Sequence, residues 1–251
     1  MSPIQEEESR ELPGRFATTR WTMVLKARSQ RGEVSNLDLS DLCRIYYFPI
    51  YAYIRKQCGS PELALDLTQG FFTLLLEGPM LDSVDPCRGQ FRAFLLASAR
   101  NFISNMRDRD LASKRGGNVR HVSLDAAALE QKFVTQVSVH WTPEREFDRQ
   151  WAVTVLDEVL RRLELEQTAA GRQHQFEVLR TALSSDRNAI DYDSAAQALD
   201  VTADNARTLV HRLRKRYRCL LRDVICETTT SPDDVESEIH DLFEALRSDP
   251  K

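Results

Sequence analysis

The feature that most constrains this fold is a stretch near the C-terminal end that predicts two helices joined by a tight turn. In the first helix, Ala195, Ala196 and Leu199 place small and apolar side chains on one face. Asp200 and the valine that follows it break this helix. Thr202 comes next as a predicted N-cap, because its hydroxyl can accept a hydrogen bond from a free N–H group of the following helix.

The second helix of this pair is amphipathic. Apolar residues recur on one face at steps of three and four, at Ala206, Leu209, Val210, Leu213, Tyr217, Leu220 and Leu221. Polar and basic residues occupy the other face, at Asn205, Arg207, Thr208, His211, Arg212, Arg214, Lys215 and Arg216. The pair is typical of a helix-turn-helix, whose second helix enters the DNA major groove. The alternative is a surface helix with a solvated charged face, which the short capped helix in front of it disfavours.

Positions along this second helix predict which contacts each side chain makes. Asn205 and Arg207 lie on its first turns, where side chains reach base edges. The basic residues that come later suit phosphate contacts, namely Arg212, Arg214, Lys215 and Arg216. The sequence therefore predicts a DNA-reading surface on one helix face.

Composition excludes several classes of protein. The chain has 251 residues, of which 42% are hydrophobic, so one or two soluble domains are expected. No apolar run approaches the ~20 residues that span a bilayer. The first residues are acidic and lack the apolar core of a signal peptide. We therefore expect a cytoplasmic protein without membrane contact.

The sequence lacks the usual signatures of catalytic and metal sites. It has five scattered cysteines without a CxxC pair, and it contains no HExxH, phosphate-binding loop, GxGxxG or GxSxG motif. We therefore expect no enzyme, no metal and no cofactor. A magnesium-dependent nuclease is the remaining enzymatic alternative, with candidate carboxylates chosen only by proximity in sequence, at Asp82, Asp85, Asp108 and Asp110.

Charge is distributed in blocks. The net charge is −4, which argues against indiscriminate binding to nucleic acid. Acidic residues collect at 6–11 and 233–244, and basic residues collect at 100–120 and 207–222. We hypothesise that DNA is bound only when the two basic regions are presented together.

Hydrophobic periodicity predicts helices throughout and no β-strand of any length, so the predicted fold is all-α. Two helical modules, at residues 37–111 and 142–226, are joined by a linker at 112–141. Residues 1–36 form an acidic lead with a short helix near Trp21, and residues 227–251 hold a short acidic helix that either packs against the basic helix or docks a partner.

Helix boundaries follow from capping residues and breakers. In the first module, helices are predicted from Leu39 onward, over 62–77 and over 91–108, and Pro49 marks a kink or a junction in the first of them. The second of these helices is predicted to bury Leu63, Leu67, Phe71, Leu74 and Leu75. Phe residues of the third either pack in the core or stack on single-stranded bases.

In the second module, Thr142 and Pro143 predict a helix start and Gly171 predicts its end. A further helix is predicted around residues 176–183. The apolar face of the C-terminal helix is predicted to hold Val235, Ile239, Leu242, Phe243 and Leu246.

Three stretches, in this order, resemble the extracytoplasmic-function (ECF) sigma factors of bacterial RNA polymerase. DLTQGFFTLLLE, at residues 66–77, is similar to the polymerase-binding helix of that family. RGQFRAFLLASARN, at 88–101, is similar to its loop and helix that melt and read the −10 promoter element. Residues 192–217 resemble its −35-reading helix-turn-helix. The segment FATTRW and the acidic final helix resemble a longer subgroup familiar from planctomycetes.

The resemblance implies roles for individual residues. Core polymerase would be contacted by Asp66, Gln69 and Phe72. The melted −10 strand would be contacted by Arg88, Gly89, Gln90, Asn101, Asn105, Arg107 and Arg109. The −35 duplex would be read by Thr202, Asn205, Arg207, Thr208, His211, Arg212, Arg214 and Lys215. Asp200 stands at the turn position where the family has a glycine, which favours a positive φ angle.

The implied function is promoter-specific transcription initiation. The implied partners are core RNA polymerase and promoter DNA, and an anti-sigma factor or a regulatory kinase is a further possible partner. The alternative is a regulator that binds duplex DNA without polymerase, with the first module serving for dimerisation or effector binding.

Overall fold

The computed structural model describes residues 36–77, 90–112, 124–185, 190–229 and 232–247. Within these ranges the chain forms nine α-helices, a 3-10 turn at Arg180–Leu183 and no strand, which confirms the prediction of an all-α fold. The helices are α1 (Asn36–Gln57), α2 (Pro61–Glu77), α3 (Phe91–Ala112), α4 (Leu124–Gln136), α5 (Pro143–Ala169), α6 (Gln173–Leu179), α7 (Tyr192–Leu199), α8 (Ala203–Cys226) and α9 (Pro232–Leu246). The predicted acidic lead and the helix near Trp21 lie outside the described residues.

Helix α5 is the centre of the fold. It packs against α1, α8, α9 and α6, and its most extensive contact is with α1. At this contact the rings of Tyr53 and Phe147 meet edge to face, with 6.5 Å between their centroids. The Thr154 hydroxyl donates to the backbone oxygen of Ile45 at 2.8 Å. The two predicted modules therefore share one continuous hydrophobic core in this structure, while their division into separate domains stays a prediction.

Helix α1 carries most of the aromatic core. It continues without interruption through Pro49, so of the two alternatives for this residue the junction is wrong. Ile50 and Ile54, one turn apart, are completely buried. Burial of such apolar surface supplies most of the stabilisation in a helical fold of this kind.

The interval predicted as a linker contains helix α4. Its Glu130 carboxylate accepts hydrogen bonds from the Tyr51 hydroxyl at 2.7 Å and from the Arg55 guanidinium at 3.0 and 2.8 Å. The Arg55 guanidinium also lies 5.1 Å from the ring centroid of Phe133. This part of the interval is thus a helix bonded to α1.

Helix α5 begins and ends at the capping residues that the sequence predicted. The Thr142 hydroxyl accepts a hydrogen bond from the backbone N–H of Arg145 at 3.2 Å, and Pro143 is the first helical residue. Gly171 has a φ angle of 69°, and the Arg172 N–H closes the end by donating to the Gln167 oxygen at 2.8 Å. This is the pattern of a helix that ends on a left-handed glycine.

Three apolar residues are more exposed than predicted. Leu63 and Leu74 are each 45% exposed, and Phe243 is 52% exposed. Helix α2 buries a stripe that includes Ala64 and Phe71, and the two leucines lie about three turns apart along the edge of that stripe. The prediction that Leu63, Leu74 and Phe243 lie on buried faces is therefore wrong.

Candidate nucleic-acid interface

Helices α7 and α8 form the predicted helix-turn-helix. The Asp191 carboxylate caps α7 by accepting from the Ser194 N–H at 3.0 Å. The turn residue Asp200 has φ 52° and ψ 49°, in the left-handed region, and the Val201 N–H closes the helix end on the Ala196 oxygen at 3.0 Å. Thr202 then caps α8 by accepting from the Asn205 N–H at 3.3 Å. The predicted N-cap at Thr202 is confirmed.

Buried small and apolar residues fix the orientation of α8. Ala206, Val210 and Leu213 are all buried. Through this face α8 packs against α7, α5 and the 3-10 turn. Because one face is held in the core, the opposite face of α8 is directed away from the protein body.

Seven of the eight residues predicted to read duplex DNA are exposed on that outer face. They are Thr202, Asn205, Arg207, Thr208, His211, Arg212 and Lys215. The Arg207 guanidinium bonds to the Asp204 carboxylate at 2.8 Å and lies 5.4 Å from the ring centroid of Tyr192. Contacts from both helices thus hold Arg207 at the start of α8.

Arg214 is the exception among the eight. Its guanidinium donates to the backbone oxygen of Ala182 at 2.9 and 2.6 Å and to that of Ser185 at 2.5 Å. These carbonyls belong to the 3-10 turn and the residues after it, whose oxygens have no helical partner. The donors of Arg214 are thus used inside the protein, and contact of this residue with DNA stays a prediction.

The basic face of α8 also differs from the prediction at two other arginines. Arg216 forms a forked pair with Glu166 of α5, at 2.8 and 2.5 Å, so it is not free for phosphate. Arg218 is exposed and lies three turns beyond Arg207 on the same strip. Arg218 belongs to the predicted basic region 207–222 but was not among the individually predicted DNA contacts, although its spacing from Arg207 indicated that the two side chains share one face of α8.

The residues predicted to contact the −10 strand fall into three groups. Arg88 and Gly89, together with the Arg109 side chain, lie outside the described residues. Asn101, Asn105 and Arg107 are exposed along α3, and Arg107 donates to the Gln57 backbone oxygen at 3.2 Å. Gln90 is half-buried and makes intramolecular hydrogen bonds.

The aromatic residues of α3 belong mainly to the core. Phe91 and Phe102 are buried, and Phe91 meets Tyr46 edge to face at 5.2 Å. The core interpretation of these two rings is confirmed. Phe94 is half-buried and stacks on Phe91 with 6.1 Å between the centroids.

An ion cluster surrounds Arg92, next to Gln90. The Arg92 guanidinium contacts Asp148 of α5 at 2.6 Å, Glu238 of α9 at 3.0 Å and Asp241 of α9 at 2.9 Å. It also lies 4.5 Å from the ring centroid of Trp151. Burial raises the pKa of Glu238, and the Arg92 charge opposes part of that rise.

Gln90 is part of the same cluster. Its amide nitrogen donates to the Asp241 carboxylate at 3.3 Å, and its amide oxygen accepts from Arg92 at 3.0 Å. Sequence reasoning missed this cluster, because its members lie on three helices that are far apart along the chain.

The three residues predicted to contact polymerase do not share one face of α2. Gln69 is exposed and Asp66 is half-buried. Phe72 is only 6% exposed and stacks on Tyr47 with 5.2 Å between the centroids. The ring of Phe72 is part of the core, and contact of this residue with polymerase stays a prediction.

Searches against protein-family models, curated proteins and solved structures found no match to this chain. Among the described residues, no group of three or more His, Cys, Asp or Glu side chains is arranged to hold a metal ion. No helix in the same part of the chain combines the length and the apolar composition that a bilayer crossing requires.

Proposed function

We propose that this protein is a sigma-type transcription initiation factor that binds core RNA polymerase and directs it to promoters with −35 and −10 elements. One observation carries the proposal: α7 and α8 form a capped helix-turn-helix whose outer face presents seven of the eight residues expected to read duplex DNA. The proposal requires no enzymatic activity and no cofactor of this chain.

The chemistry of the outer face suits the −35 duplex. An asparagine pairs well with adenine and an arginine with guanine in the major groove, and Asn205 and Arg207 lie on the first turns of α8. Arg212 and Lys215 are exposed further along, where they suit phosphates. A net charge of −4 gives the chain no general attraction for DNA. This favours a model in which the protein binds DNA as part of a complex with polymerase.

Helix α2 offers a surface for polymerase. Its exposed side combines the polar Gln69 and Thr73 with the apolar Leu74. Mixed apolar and polar patches of this kind are typical of the interfaces between proteins. Gln69 and Leu74 replace the buried Phe72 as the residues that we expect polymerase to contact.

The alternative function is a regulator that binds duplex DNA without polymerase. It is favoured by one observation: both helices of the helix-turn-helix are capped at their N-termini, and α8 packs against α5 and the 3-10 turn. The helix-turn-helix is therefore supported by the rest of this chain without a partner protein. Both functions place the same residues on DNA, and they differ in what must be present for binding.

Run-off transcription tests the proposal. Fragmented genomic DNA is transcribed by purified core polymerase with and without this protein. The proposal predicts new transcripts that share an upstream sequence motif. Clean binding to DNA with no effect on transcripts would favour the regulator.

A further inference from the structure

A cavity of about 380 Å³ opens between the end of α5, the start of α6 and the middle of α8. Its volume is at the lower end of the range of about 300–1,000 Å³ that is typical of small-molecule sites. Three arginines and one glutamate give the lining an excess of positive charge, in a chain whose net charge is −4. The cavity therefore favours a small anionic ligand. Its lining residues are Glu166, Gln167, Arg172, Gln175, Leu209, Arg212, Leu213 and Arg216.

The turn between α5 and α6 holds Arg172 in place at this cavity. The backbone N–H of Arg172 donates to the Gln167 backbone oxygen at 2.8 Å, and its Nε donates to the Gln167 side-chain oxygen at 2.9 Å. Gln167 itself is buried. Because both the backbone and the side chain of Arg172 are anchored on one buried residue, less conformational freedom is lost when a ligand binds.

Two of the three arginines have no counter-charge within the protein. Among the described residues, no carboxylate forms an ion pair with Arg172 or Arg212. Guanidinium groups bind phosphate through two parallel N–H bonds, and they keep their charge at any pH of interest. Two guanidinium groups that line one small cavity without a carboxylate partner are suited to hold a phosphate.

The rest of the lining is suited to a flat, partly apolar group. Arg216 uses its Nε and Nη2 to bind the Glu166 carboxylate, at 2.8 and 2.5 Å. Planar guanidinium groups stack on aromatic rings. Leu213 is buried and Leu209 is half-buried, so apolar atoms form another part of the wall. The cavity thus combines a phosphate site with surfaces that favour an aromatic base.

We propose that this cavity binds a nucleoside monophosphate, whose phosphate is held by Arg172 and Arg212, and that the bound nucleotide competes with DNA for Arg212. The base lies against Leu209 and against the pair that Arg216 forms with Glu166. The competition rests on the proposed function, in which Arg212 contacts a phosphate of the −35 duplex, whereas the binding itself does not.

Calorimetric titration of the full chain tests the ligand. The probes are adenosine monophosphate and guanosine monophosphate, with inorganic phosphate and the two nucleosides as controls. At least one monophosphate should bind, and the three controls should bind at least about tenfold more weakly, since each makes only part of the contacts. Absence of binding by both monophosphates would overturn the site. Equal affinity for inorganic phosphate would overturn the nucleotide as its ligand.

Variants of the full chain test the position of the site. Arg172→Gln should lower the affinity by about 10- to 100-fold, because it removes charged hydrogen bonds to the phosphate. Gln175→Trp fills the cavity without changing its charge, and it should abolish binding. The matched controls are Arg180→Gln and Gln173→Trp, at exposed positions that do not line the cavity, and both should bind like the unmodified protein. Thermal unfolding verifies that each variant folds, and equal affinity in all of them would overturn this cavity as the site.

The competition is measured on a promoter duplex bound by this protein and core polymerase. A saturating monophosphate should weaken the complex by roughly 5-fold or more, as is typical of coupled sites. The complex of Gln175→Trp should not respond, because this variant keeps every arginine but excludes the nucleotide. No change with the unmodified protein, or an equal change with both proteins, would overturn the competition. Failure to bind the duplex without nucleotide would overturn the proposed function and the competition with it, whereas the titration would still decide whether the cavity binds nucleotide.

Discussion

The guanidinium of Arg92 in α3 lies 3.0 Å from the carboxylate of Glu238 in α9, and the Glu238 side chain is only 1% exposed. A buried carboxylate is costly unless a counter-charge and hydrogen bonds compensate for its lost hydration. Arg92 provides both, with Trp151 beneath its plane. This one pair ties the C-terminal helix to a helix that lies far away in sequence.

Replacing Arg92 by methionine should lower the free energy of unfolding by about 3–5 kcal/mol, because Glu238 is then buried without its counter-charge. Urea unfolding at neutral pH measures the change. Arg100→Met is the control, since Arg100 pairs with Glu144 at an exposed site of the same helix, and it should change stability little. Equal losses for the two variants would contradict the role given to the buried pair.

Replacing Asp200 by glycine should raise the free energy of unfolding by about 0.5–1 kcal/mol, because a residue with a Cβ atom is strained at a positive φ angle and glycine is not. The φ angle of Asp200 is 52°. Asp193→Gly, within α7, should have the opposite sign, because glycine weakens a helix. Thermal or urea unfolding measures whether each substitution raises or lowers the free energy of unfolding. Destabilisation by Asp200→Gly would contradict the turn geometry.

Local signals in the sequence predicted the helix ends and the turn. Thr142, Gly171 and Thr202 each act on backbone groups within a few residues, so their roles follow from short stretches of sequence. The amphipathic face of α8 was predictable for the same reason, because its period is a property of one helix.

Contacts between distant segments were not predictable. Arg214 has a place on the basic face by periodicity, yet it bonds to the carbonyl of Ala182, which belongs to another element. Phe72 was assigned to a partner surface and is covered by Tyr47 of α1. Periodicity gives the direction of a side chain around its own helix, but it does not give the neighbour that lies there.

Arg207 and Lys215 should affect promoter recognition differently. Arg207→Ala should cost about 1–3 kcal/mol of binding at one promoter position and relax the base preference there. Lys215→Ala should weaken binding to all sequences alike and reduce its dependence on salt. Binding of the polymerase complex to matched and singly mismatched promoters measures both. Identical patterns for the two variants would contradict the division between base and phosphate contacts.

Arg214→Ala should act on folding rather than on recognition. It removes the donors to the carbonyls of Ala182 and Ser185, and hydrogen bonds made by charged groups contribute about 1.5–3 kcal/mol each. We expect a clear loss in urea unfolding and no change in base preference. Lys215→Ala is the control, and it should leave stability nearly unchanged. A changed base preference in Arg214→Ala would place this side chain on DNA after all.

Stability should fall in acid through Glu158. Burial raises the pKa of this carboxyl, but hydrogen bonds from Arg161 and Arg162 outweigh burial and hold the pKa below its usual value of 4.5. A lowered pKa in the folded state means that the stabilisation is complete above pH 4.5 and is lost as the pH falls through the folded pKa.

Urea unfolding between pH 6 and about pH 3 tests this dependence. Glu158→Gln should lose less stability over this range than the unmodified protein, because its side chain does not titrate. Glu164→Gln, at an exposed position of the same helix, should follow the unmodified protein. Parallel curves for all three proteins would exclude Glu158 as a source of the acid dependence.

The most direct test of the central claim is the mobility of a labelled promoter duplex with this protein alone, with core polymerase alone and with both together. The duplex is taken from the upstream region of a transcript found in the run-off experiment. If no transcript is found, it is taken from genomic fragments that bind to this protein and core polymerase together. We predict a sequence-specific complex only when both proteins are present, because a net charge of −4 gives the isolated chain no general attraction for DNA. A specific complex with this protein alone, unchanged by polymerase, would contradict the account and identify a regulator that binds DNA by itself.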